Sequence, residues 1–131
     1  MGMEQTVVFE PGTGPAWVAV RDLLAARGFQ VQMRMIDGQL AFPDEMPPET
    51  WQELRVGTAG GMVTLRRDGD RIQTVTWGNA DDAIVRAWNA LTWAIAETGR
   101  GKVLVPSGAI TADEYRRTAD LPAGLHSSAS K

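Results

Sequence analysis

Apolar and polar positions alternate most cleanly where Phe29, Val31, Met33 and Met35 are interleaved with Gln30, Gln32 and Arg34. Successive side chains of an extended strand point to opposite faces, so this spacing predicts a half-buried strand. Asp37-Gly38 is a two-residue hairpin signal that returns the chain into Gln39 to Phe42. A tight loop there sets Met35 against Leu40 and Met33 against Phe42, with all four expected on the core face. Three further runs, Leu54 to Thr58, Met62 to Arg67 and Asp70 to Trp77, are joined by Ala59-Gly60-Gly61 and Asp68-Gly69, which predicts an antiparallel meander. With Leu65 opposite Ile72, one face collects Leu54, Val56, Val63, Leu65 and Ile72. The other collects Arg55, Met62, Thr64, Arg66, Arg71, Gln73, Val75 and Trp77, and sets Arg66 against Arg71, a like-charge pair that wants an anionic answer.

Helical period takes over on either side. Gly14-Pro15 opens a helix with proline in its first turn, Trp17, Val20, Leu23 and Leu24 form its apolar stripe, and Gly28 follows its end. Asn79 is the expected cap of a second helix, whose first turn holds Asp81 and Asp82. Its apolar stripe is Ala80, Ile84, Ala87, Trp88, Leu91 and Ile95. Trp93 falls on the opposite side of that stripe, which leaves it either wet and free for a partner or covered by a second packing surface. Thr6 to Phe9 reads as an edge strand or ordered arm, Lys102 to Val105 as a last strand, and a single helical turn is expected around Glu49 to Glu53. Thr111 with Glu114 forms a capping box for a short helix over Ala112 to Thr118.

The expected fold is therefore α+β: a two-layer sandwich with a mostly antiparallel sheet of five to six strands, two main helices on one face, and element order β-α-β-β-β-β-β-α. A chain of 131 residues suits one core. Residues 1–106 are read as a single domain and 107–131 as an appendage with a short helix and loose tail. In element order alone the chain resembles profilin-like Roadblock domains and type III secretion chaperones. That resemblance implies dimerisation or the gripping of other proteins.

Composition removes several chemistries. Cysteine is absent, so disulfides, thiol catalysis and cysteine-ligated metals are excluded. The only histidine, His126, lies in a serine-rich tail, away from any nucleophile it could activate. A net charge of −3 argues against generic nucleic-acid or anionic-membrane binding. No apolar run approaches the ~18 residues of a spanning helix, and the N-terminus has no export pattern, so a cytoplasmic location is expected. No cofactor or metal is expected.

Paired carboxylates occur at Asp44 with Glu45, Glu49 with Glu53, and Asp81 with Asp82, each with a plainer account in a loop, a turn or a helix dipole. What remains is surface. The first expectation is a non-catalytic interaction module, such as an adaptor, a chaperone-like protein or an immunity-type protein. It would dock an unidentified protein partner, or a second copy as a homodimer, through Arg55, Arg66, Arg71, Trp77 and Trp93. The alternatives are a small-ligand domain with an apolar pocket lined by Trp17, Met33, Met35 and Trp88, and a carboxylate enzyme using Glu49 and Glu53.

Overall fold

The structure, a computed structural model, describes residues 3–77 and 81–125. It contains strands β1 (Met3–Val8), β2 (Gln32–Ile36), β3 (Gln39–Leu40), β4 (Glu53–Thr58), β5 (Gly61–Asp68), β6 (Arg71–Thr76), β7 (Lys102–Val105) and β8 (Gly108–Thr111). The helices are α1 (Trp17–Ala26), α2 (Asp82–Gly99) and α3 (Ala112–Thr118). All strand pairs are antiparallel, in one open sheet of order β3-β2-β4-β5-β6-β1-β7-β8. The α+β reading stands, but the sheet has eight strands, more than the five or six expected. β8 accounts for part of the difference, since Pro106-Ser107 returns the chain against β7 with Val105 facing Gly108. β1 is no edge strand either, because it lies between β6 and β7.

Local chemistry explains the element ends. Asp37 and Gly38 both take positive φ, as a tight turn of the Asp-Gly kind requires. At the end of α1, Gly28 (φ +81) donates to the Ala25 carbonyl and Phe29 to that of Leu24, a Schellman motif. The cap of α2 is Asp81, whose Oδ1 accepts the Ile84 N–H at 3.0 Å. Asn79, the expected cap, lies outside the described residues. Thr111 and Glu114 form the expected capping box of α3. No helical turn forms at Glu49 to Glu53; Trp51 N–H instead closes a turn onto the Pro48 carbonyl, and Glu53 opens β4.

The meander keeps its inside and outside. Leu54, Val56, Val63, Leu65 and Ile72 are all buried in the core. The β5–β6 turn, however, is Gly69-Asp70, not Asp68-Gly69, so Leu65 faces Thr74, Arg66 faces Gln73, and Asp68 faces Arg71. This register differs from the expected one by two residues, and a period of two preserves every face. The anticipated Arg66–Arg71 clash disappears, because a carboxylate stands opposite Arg71.

The β2–β3 hairpin departs further. Met35 stands opposite Leu40 as expected, whereas the expected Met33–Phe42 pairing is not formed, β3 ending at Leu40, and a bulge at Arg34 lets two residues of β2 oppose one of β4. Met33 therefore faces Val56 in the core, whereas Met35 faces Arg55 on the other side. Leu40 and Phe42, expected inside, are 88% and 75% exposed.

All helical packing falls on one face. α2 lies against β1, β5, β6 and β7 and is flanked by α1 and α3. The segment read as an appendage extends the sheet through β8 and places Tyr115, Leu121 and Leu125 in the same buried cluster as Trp17 and Leu65.

Candidate functional site

Cross-strand pairing lays the outer face out in rows. One row runs Leu40, Met35, Arg55, Thr64, Val75, Glu4; the next runs Glu53, Arg66, Gln73, Thr6. Arg66 donates from Nε to Glu53 at 3.1 Å, and its guanidinium lies 5.6 Å from the Trp77 ring centroid. Thr64 and Val75 occupy the row between Arg66 and Trp77, and both are buried although their strand parity places them on the outer face. Arg34 lies along Gly57, where an added Cβ would meet its Nε at 2.7 Å.

Seven large apolar side chains remain exposed among the described residues. Leu40, Phe42, Met62, Trp77 (56% exposed) and Leu104 lie on the outer face, and the other two, Val18 and Met46, line one cleft. They are spread across that face, with Leu40 on β3 and Leu104 on β7 six strands apart and Met62 beside Trp77 between them. Arg55, Arg66 and Arg71 are exposed among them, and neither Arg55 nor Arg71 has an ion pair among the described residues.

Trp93 belongs elsewhere. It is 1% exposed, with Arg27 5.3 Å over its ring, where α1 packs against α2. Burial within the monomer withdraws it from any docking surface.

Between sheet and α2 sits a buried polar cluster. Thr74 and Thr92 hydroxyls are 2.6 Å apart, Gln5 Nε2 donates to Asn89 Oδ1 and Thr92 Oγ1, and the Tyr115 hydroxyl donates toward Gln5 Oε1 (2.7 Å) and Asn89 Oδ1 (2.8 Å). Burial pushes the Tyr115 phenol well above its usual pKa, against the opposing pull of hydrogen bonds with Gln5 and Thr92, so it stays a donor. With each group answered, this cluster ties β1, α2 and α3 together.

The residues of the two alternative readings do not converge. Met33 is in the core, Met35 is on the outer face, and Trp88 donates its indole N–H to the Thr74 carbonyl at 2.8 Å. Trp17 instead borders a cleft of about 470 Å³ with Trp51, Met46, Pro48, Glu49 and Arg67. Glu49 lines that cleft, whereas Glu53 is engaged with Arg66 on the outer face, so the two carboxylates belong to different surfaces. Asp44 and Glu45 lie in an exposed loop, where Glu45 accepts the Phe42 N–H, and Asp81 is spent on its cap. Among the described residues, no group of three or more His, Asp or Glu side chains could hold a metal ion, and no helix is long and apolar enough to cross a membrane.

No family model, curated protein or solved structure matches this chain. The chemistry of its surfaces therefore rests on its own residues.

Sequence reasoning missed Trp51 and Arg67. Arg67 stacks 4.4 Å over the Trp51 ring, donates from Nε to the Trp51 carbonyl at 2.9 Å, and donates from Nη2 to the Glu49 carbonyl. A signal was present: Arg67 shares strand parity with Val63 and Leu65, so a core-facing arginine was implied by the same alternation that placed those two inside.

Proposed function

We propose that the chain is a non-catalytic protein-interaction module whose outer sheet face receives the acidic surface of a partner protein. The observation that carries this reading is the one-sided placement of the helices. They bury one face of an eight-stranded sheet and leave the other with Leu40, Phe42, Met62 and Trp77 beside Arg55, Arg66 and Arg71. Arginine and tryptophan are the types most enriched at binding hot spots, and an apolar centre with charged neighbours is the usual anatomy of an interface. A second copy fits less well, since twofold symmetry sets the same patch against itself and opposes like arginines near the axis. The proposal includes a cytoplasmic setting, supported by the absence of cysteine.

The test is a paired charge reversal, Arg55→Glu with Arg71→Glu, chosen because neither side chain has an ion pair to lose. Wild-type chain should retain an acidic protein from host extract that also binds as a purified pair, and the variant should bind it at least about tenfold more weakly. Melting should be nearly unchanged. Equal binding by the variant, or a light-scattering dimer that hides Trp77, would overturn the reading.

A further inference from the structure

Arg67 stands in the wall between two clefts. The larger, about 470 Å³, is bordered by Trp17, Val18, Met46, Pro48 and Trp51, and the smaller, about 250 Å³, by Phe9, Gly69 and Asp70; Gly14 and Arg67 line both. A concavity of the larger one's size, lined mostly by apolar side chains with the charges of Arg67 and Glu49 among them, is what small-ligand sites look like. Arg67 has two carbonyl acceptors and the Trp51 ring, but no ion pair among the described residues. Asp37, the carboxylate that favours its charge, is itself engaged by the N–H groups of Gln52 and Glu53, each at 2.8 Å. A guanidinium carries five N–H donors, so two carbonyl acceptors leave donors over beside an apolar cleft. Burial also works against the Arg67 charge, which an incoming anion would relieve.

We propose that this cleft binds a small monocarboxylate with a flat apolar body, its carboxylate on Arg67 and its body against Trp17, Met46 and Pro48. Glu49 lines the same cleft and Asp70 the smaller one, so a more highly charged anion such as phosphate meets greater repulsion than a monocarboxylate does. This site is separate from the outer sheet face and stands whether or not that face docks a protein.

Hydrocinnamate, its uncharged analogue hydrocinnamamide and inorganic phosphate are the probes, followed by indole N–H NMR signals assigned with Trp→Phe variants of the full chain. Hydrocinnamate should shift the Trp17 and Trp51 signals saturably and bind about tenfold more tightly than the amide, while phosphate leaves both signals in place. Arg67→Gln removes the charge but also loosens the loop it holds, so a second variant is used. Val18→Glu adds a carboxylate at an exposed position in the first turn of α1, where a negative charge suits the helix N-terminus. It should weaken hydrocinnamate several-fold more than it weakens the amide. Equal affinity for acid and amide, an unchanged Val18→Glu variant, competition by phosphate, shifts confined to Trp77 or Trp93, or no saturable shift at millimolar probe would each overturn the proposal.

Discussion

Arg66 and Arg67 are neighbours on one strand, each stacked on a tryptophan, yet they serve opposite sides of the molecule. Arg66 is exposed, pairs with Glu53 and bridges to Trp77 across an open sheet face. Arg67 turns inward, stacks on buried Trp51 and ties the loop carbonyls of Glu49 and Trp51 to the sheet. The same side-chain chemistry is adaptable surface in the first case and structural anchorage in the second. Solvent makes the difference: an exposed ion pair is screened, whereas donors in a partly buried loop replace hydrogen bonds that the loop could not otherwise make.

That contrast can be broken by substitution. The largest effect belongs to Trp51→Ala, which removes a buried indole and the platform for Arg67. A loss of about 3–5 kcal/mol is expected from urea unfolding, in the range of large-to-small core changes. Arg67→Ala should follow at about 2 kcal/mol, the cost of two charge-assisted bonds to loop carbonyls. Arg66→Ala should cost less than about 1 kcal/mol by the same measurement, because the Arg66–Glu53 pair is partly exposed, at 44% and 31%, and screened by solvent. A cost for Arg66 equal to that for Arg67 would erase the distinction.

The smallest effect concerns pH. Backbone N–H groups of Glu53 and Gln52 hold the Asp37 carboxylate below its ordinary value of 3.8, with Arg67 adding a minor pull. A depressed folded-state pKa contributes stability that is present above the ordinary value and is lost as pH falls below it. Asp37→Asn should therefore flatten the decline of the unfolding midpoint below about pH 4, slightly, since the carboxylate is exposed. An unchanged decline in the variant would show that Asp37 contributes nothing there.

The meander was legible because Leu54 and Val56, then Val63 and Leu65, alternate with polar or small residues, and a turn displaced by one position still left Leu65 and Ile72 inside. The hairpin before it was not, because a bulge at Arg34 leaves no mark in a sequence that alternates cleanly through Met33 and Met35. Its effect was to bring Met35 and Leu40 out onto the outer face. Trp93 misleads for a different reason. From Ala90 to Ala96 the helix is apolar or small nearly all round, the signature of a helix packed on several sides, and a single stripe understates it. β8 follows a Pro-Ser-Gly turn and holds only four residues, Gly108–Thr111, too few to establish a period. The cleft depends on Trp17 and Trp51, brought together across thirty-three intervening positions by tertiary packing alone.

Fluorine NMR of the chain labelled with fluorotryptophan tests the outer face most directly, since its five tryptophans report separately on the two sides of the sheet. In the free chain the Trp77 resonance should respond strongly to exchange of water for heavy water and that of Trp93 should not; with the acidic partner added, Trp77 should move while Trp17, Trp51 and Trp93 hold still. A Trp77 signal blind to solvent in the free chain, or unmoved by the bound partner, would contradict the account.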